Sequence, residues 1–143
     1  MLLDAFWDTS ALVPLCTIQG ATPRAVTHRT NYGIVVWWAT PVEIAAALGR
    51  LLRTKQITSA GLAKAQAAAA KLSAEWTALV PSDDILERAC DLVGKHDLRA
   101  ADSLQLAAAL EWCNDQPDGH VFLSADHRLR HAALAEGFDA KTV

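Results

Sequence analysis

Ile34-Val35-Val36-Trp37-Trp38-Ala39-Thr40-Pro41-Val42-Glu43 is the stretch that decides the fold. Its first five residues are β-branched or aromatic and uncharged, which reads as a buried strand. Thr40 then caps a helix, Pro41 takes the first helical position, Glu43 stands three residues after the cap, and the helix runs to about Arg53. A buried strand feeding straight into a helix is the unit from which parallel sheets are built.

Outward from this stretch the alternation continues in both directions. Upstream, Ala5-Phe6-Trp7, starting as early as Leu2, reads as a strand that stops at Asp8-Thr9-Ser10. Helix or turn follows, and Thr22 to Gly33 is polar enough to be loop or short helix. Downstream, an Ala-rich helix begins near Thr58 and continues to Leu72. Leu79-Val80-Pro81 reads as a short edge strand, since proline is tolerated only at sheet margins. Ser82 caps a helix from Asp83 to about Gly94, where the glycine supplies a stop, and another helix spans about Arg99 to Cys113. After a turn over Asn114 to Gly119, His120-Val121-Phe122-Leu123 is a further buried strand. Ser124 or Asp126 caps a helix to about Glu136, Gly137 ends it, and Phe138 to Val143 forms a last short strand. The expectation is an α/β fold over residues 1–143 as one domain, with a mostly parallel sheet and helices on both faces.

Composition agrees with that expectation. With 52% hydrophobic and 20% charged residues, the chain can bury a sizeable core and is not a disordered tail. No apolar run approaches the roughly 18 residues of a membrane span, and Met1-Leu2-Leu3-Asp4 lacks the basic start of a signal peptide. A cytoplasmic protein without a membrane partner is expected. Cys16, Cys90 and Cys113 are far apart, show no CxxC spacing, and read as small buried hydrophobes.

The carboxylates carry the functional signal. Ligands of open α/β sheets bind beyond the carboxyl ends of the strands. Asp8 directly follows the first strand, Glu43 lies five residues after Trp38 in the first turn of a helix, and Asp126 lies three residues after Leu123. Asp102 sits near the start of a helix, Leu98 to Leu110, that is otherwise almost wholly apolar. A carboxylate there must be paired, hydrogen-bonded or metal-bound. Each acid also has a purely structural reading: Glu43 completes a capping box with Thr40, Asp126 is an N-cap, Asp8 begins a turn, and Asp102 pairs with Arg99 one turn earlier. Four converging carboxylates would raise one another's pKa values unless a cation lay between them. An all-oxygen set suits Mg²⁺ or Mn²⁺ better than zinc.

That site also answers the objection raised by a net charge of −3, which is unusual for a nucleic-acid binder. Taking the four acids from the 16 Asp and Glu leaves 12 against 13 Lys and Arg, a balance of +1 before any metal is counted.

Four segments then resemble a known family. Phe6-Trp7-Asp8-Thr9-Ser10-Ala11-Leu12, Thr40-Pro41-Val42-Glu43-Ile44-Ala45-Ala46-Ala47-Leu48, Leu98-Arg99-Ala100-Ala101-Asp102-Ser103-Leu104-Gln105-Leu106-Ala107 and Val121-Phe122-Leu123-Ser124-Ala125-Asp126-His127-Arg128-Leu129 are similar, in order and spacing, to the motifs of PIN-domain nucleases. Within these, the chain resembles the VapC-type toxins of bacterial and archaeal toxin–antitoxin pairs. The resemblance implies a three-layer α/β/α sandwich, a Mg²⁺- or Mn²⁺-dependent endoribonuclease acting on RNA, a homodimer, and an antitoxin that blocks the site. It implies that Asp8 and Asp102 hold the main ion, with Asp126 and Glu43 binding directly, through water, or at a second ion. The aromatic pair Phe6-Trp7 departs from the smaller aliphatic residues usual in the family.

Other residues complete the expected site. Thr9, Ser10 and Ser124 lie beside ligands and would orient them through hydrogen bonds, or serve only local turns and caps. Arg50, two helical turns after Glu43, would meet RNA phosphates together with Arg53 and Lys55, or simply complement the helix C-terminus. His127 and His131 have the i, i+4 spacing of a zinc helix, but Arg128 stands where that motif needs Glu. Trp37 and Trp38 read as core or dimer surface rather than base-stacking platforms. A different function for the same fold is a catalytically silent module that binds RNA or protein. A phosphatase would want two acids spaced two apart after the first strand, and Asp4 and Asp8 are four apart.

Overall fold

Within each central strand, successive side chains alternate between two separate cores, and that alternation sets the three layers. Phe6, Val35, Trp37 and Phe122 point into one core, while Ala5, Trp7, Ile34, Val36, Val121 and Leu123 point into the other. The computed structural model describes residues 1–143. In chain order its elements are β1 (Leu3–Trp7), α1 (Thr9–Cys16), α2 (Thr22–Asn31), β2 (Tyr32–Trp37), α3 (Thr40–Arg53), α4 (Ser59–Ser73), β3 (Thr77–Leu79), α5 (Asp83–Lys95), α6 (Ala100–Trp112), β4 (Val121–Ser124), α7 (His127–Glu136) and β5 (Asp139–Thr142). The five strands form one all-parallel sheet in the order β3-β2-β1-β4-β5.

This order explains the layering. The chain first steps outward from β1 to β2 and β3, then returns to the other side of β1 for β4 and β5. Parallel crossovers are right-handed, so reversing the direction of winding moves the connecting helices to the opposite face. Accordingly α1 to α4 supply one core, through Leu12, Ala25, Ile44, Leu48 and Ala65. Helices α5 to α7 supply the other, through Ile85, Leu92, Leu106, Leu110 and Leu129. The reversal leaves a crevice between the carboxyl ends of β1 and β4.

The aromatic pair in β1 is absorbed by both cores. Phe6 stacks on Phe122, its parallel-register partner, with centroids 5.5 Å apart. Trp7 is wholly buried, and its indole N–H donates to the Gly33 carbonyl at 3.2 Å.

Several expected boundaries shift. Thr22 to Asn31 is a full helix entered through Pro23; its only fully buried residue is Ala25, so an apolar stripe was absent from the sequence. β2 starts at Tyr32 and ends at Trp37, leaving Trp38 exposed. β3 lies upstream of its expected place, at Thr77–Leu79, because these residues pair with Val35 to Trp37 while Pro81 lies outside the ladder. α5 passes through Gly94 to Lys95. Thr40 is the first helical residue rather than the cap; Ala39 holds the cap position, and the buried Thr40 hydroxyl has no partner. Cys90 is exposed, unlike Cys16 and Cys113. No helix is long and apolar enough to cross a membrane.

Candidate active site

Asp8 lies just past β1, where parallel register continues the pairs Ala5 with Val121, Phe6 with Phe122 and Trp7 with Leu123. The next step sets Asp8 opposite Ser124, and the Asp8 N–H donates to the Leu123 carbonyl at 3.0 Å. Asp8 is only 4% exposed. Its Oδ2 accepts from Ser124 Oγ at 2.8 Å and from Ser10 Oγ. Each hydroxyl in turn accepts a backbone N–H from the turn after β4, Ser124 from Asp126 at 3.0 Å and Ser10 from Ala125 at 2.9 Å. The two serines therefore tie the ends of β1 and β4 together through Asp8. Oδ2 is thus fixed by two hydroxyls, and Asp8 lines a cleft at this end of the sheet.

Asp126 caps α7, its Oδ1 accepting from the Leu129 N–H at 3.1 Å. The capping role and a place in the cleft are compatible, because a helix cap after β4 stands at the same crevice. Glu43 makes no capping box. Its Oε2 accepts instead from Gln105 Nε2 at 3.0 Å, and the same amide donates to Thr9 Oγ1 at 3.1 Å. Asp102 enters no ion pair with Arg99, although the arginine's charge favours the ionised form.

These side chains come from four separate parts of the chain, yet all four carboxylates line one cleft of about 470 Å³ together with Arg50 and Arg53. Lys55 is not among its walls. Burial pushes the Asp8 carboxyl up against the pull of the two serines, and Asp126 raises it further. Burial also moves Glu43 up to about 7, with Gln105 pulling it down and Asp8 and Asp102 pushing it up. Asp102 rises to about 6, first through burial and then through the charges of Asp8 and Asp126. A cation would relieve the cost of burying these carboxylates beside one another, so the donor set fits a hard divalent ion. The side chains do not close into a ready-made cage, since no three His, Cys, Asp or Glu groups stand at coordinating distance. Mg²⁺ tolerates this, as it keeps several waters and takes only one or two carboxylates.

Gln105 joins the site although no motif or strand-end position marks it. It is wholly buried, and its Oε1 has no partner, so its NH₂ is committed to Thr9 and Glu43. The signal was available: an amide in an apolar helix needs hydrogen-bond partners as surely as a carboxylate does. His127 and His131 are not among the walls of the acid cleft; with His96 they line a neighbouring hollow along α7.

Fold and cleft together define a doubly wound α/β protein whose carboxylates gather at the topological switch point. No protein-family model matches the chain, and no curated protein does. Among solved structures it is similar to a toxin–antitoxin complex from Klebsiella pneumoniae, with a TM-score of 0.59 and 17% identity over 86% of this chain and 87% of that one. It is also similar to the crystal structure of PAE2754 from Pyrobaculum aerophilum, with a TM-score of 0.61 and 23% identity over 99% of this chain and 84% of that one. At these identities the likeness is one of fold.

Proposed function

We propose that the chain is a metal-dependent endoribonuclease, with Asp8, Glu43, Asp102 and Asp126 as its acidic centre, and that it is the toxin of a toxin–antitoxin pair. The observation that carries this reading is the gathering of four acids from distant segments into one cleft, where Asp8, Glu43 and Asp102 have raised carboxyl pKa values that a divalent ion would relieve. The toxin assignment rests on the motif resemblance and on the fold shared with a structure described as a toxin–antitoxin complex. An antitoxin covering the cleft and a homodimer belong to the same proposal.

Asp8 and Asp102 would hold Mg²⁺ or Mn²⁺, with Asp126 and Glu43 completing the set. Bound there, the ion supplies Lewis-acid charge against phosphate oxygens and makes water more acidic. The protein's own groups prepare the cleft. Ser10 and Ser124 fix one oxygen of Asp8. Gln105 and Thr9 orient Glu43 by hydrogen bonds that favour its charged form against the burial that raises its pKa. Arg50 and Arg53 supply cations for phosphates on one side of the bond to be cut.

The test is expression of the wild-type chain and of Asp102→Asn in a bacterial host, with total RNA followed over time. Growth arrest with RNA fragmentation by the wild type alone supports the reading. RNA that stays intact in both cultures, with soluble protein present, contradicts it.

A further inference from the structure

The acid cleft is one of three hollows joined end to end. Asp102 and Asp126 line both the acid cleft and a second hollow of about 480 Å³, whose walls are otherwise Asp97, Arg99, His127 and Arg128 and include no hydrophobic residue. Asp97, His127 and Arg128 in turn line a third hollow of about 290 Å³, with His96 and His131. The path therefore leaves the acids, runs between the turn joining α5 to α6 and the N-terminus of α7, and continues along α7.

The charges follow a pattern along this path. Arg50 and Arg53 line the acid cleft alone, Asp102 and Asp126 line both hollows, and Arg99 and Arg128 line the second hollow but not the acid cleft. Arg50, Arg53 and Arg99 enter no ion pair. Arg128 reaches only Asp97, at 3.4 Å, with both side chains mostly exposed, a pairing weak enough for a phosphate to replace. Cations on both sides of an acidic, metal-capable centre suit a polyanion that crosses the centre rather than one that ends there. The recess favours a single strand. Asp8 is almost wholly buried at the bottom of the crevice, so a phosphate must descend to it, which a flexible strand permits and the fixed cylinder of an A-form duplex resists.

We propose that a single RNA strand passes through the acid cleft and continues along the groove between the α5–α6 turn and α7, where Arg99 and Arg128 hold its phosphates and His127 and His131 flank it. This rests on the nuclease reading above and assigns the second arm of its substrate track.

The test measures binding of a fluorescein-labelled single-stranded oligoribonucleotide of mixed sequence by anisotropy across a salt series. The parent is full-length Asp8→Asn, and cleavage by the wild type is followed in parallel. Adding Arg99→Ala or Arg128→Ala is expected to weaken binding and to lower the slope of log Kd against log salt by about 0.7 for each phosphate left without its arginine. Lys71→Ala, which removes a charge on exposed α4 away from all three hollows, is expected to leave the slope at the parent's value. If Arg50→Ala lowers the slope while Arg99→Ala and Arg128→Ala do not, the second arm is overturned and the nuclease reading stands. If both arms lower the slope but the wild type cuts no RNA, the track stands and the nuclease reading falls. Absence of RNA binding by the parent overturns both.

Discussion

Gln105 on α6 donates its amide to Glu43 on α3 at 3.0 Å and to Thr9 at the start of α1 at 3.1 Å, so one side chain joins both helical layers across the carboxyl end of the sheet. Removing that amide without removing volume separates its positioning role from packing. Gln105→Met is expected to stay folded and to shift the acid limb of the cleavage pH profile upward, because Glu43 loses the bond that favours its charged form. A pH–rate profile checks this. An acid limb that stays in place, with only a uniform loss of rate, would leave Gln105 a packing residue.

Thr40 tests the replaced capping box. Its hydroxyl is fully buried without a partner, so Thr40→Val is expected to leave stability unchanged or raise it by about 1 kcal/mol. Were Thr40 the cap, the change would cost about 0.5–2 kcal/mol. Urea unfolding of the two proteins decides between them.

Burial of the acids, and after it their mutual charge, has a stability signature in the metal-free protein. Glu43 rises from 4.5 to about 7 and Asp102 from 3.8 to about 6 on folding. The folded chain therefore binds more protons than the unfolded one between about pH 4 and pH 7. Stability from these groups is full below that window and is lost as pH rises through it. Glu43→Gln removes one such group, so its Tm without metal is expected to exceed that of the wild type at about pH 8, and the gap to close toward about pH 5. Saturating Mn²⁺ at about pH 8 is expected to raise the wild-type Tm more than that of the variant. Thermal melts with and without chelator read both effects.

Ser124 links Asp8 to the cap of α7, donating to one and accepting from the backbone of the other. Ser124→Ala is expected to weaken Mn²⁺ binding about 10–100-fold, the usual cost of losing a bond that orients a ligand. Isothermal titration calorimetry measures it, and an unchanged affinity would show that Ser124 orients no metal ligand.

Much of this was readable in the sequence, for definite reasons. β1, β2 and β4 are central strands buried on both faces, so Ala5-Phe6-Trp7, Ile34 to Trp37 and Val121 to Leu123 stand out as uncharged runs. The edge strand β3 has no such run, because Thr77 and Ala78 are exposed, and only pairing with β2 defines it. The polar helix α2 is hidden for a similar reason, since it buries little more than Ala25. Capping box and first-turn geometry share one pattern, so Thr40-Pro41-Val42-Glu43 does not reveal whether Thr40 or Ala39 holds the cap. Position after a strand placed Asp8, Glu43 and Asp126 in one neighbourhood. The link between Gln105 and Glu43 spans 62 residues of sequence, and no local pattern encodes such a pairing.

The most direct measurement is the initial rate of cleavage of a labelled single-stranded RNA by purified wild-type protein and by Asp8→Asn, as Mn²⁺ is titrated into chelator-treated samples. The expected rate is absent without metal, rises saturably with Mn²⁺ in the wild type, and stays at background in the variant. Equal cleavage by the two proteins, or cleavage indifferent to Mn²⁺ and chelator, would contradict it.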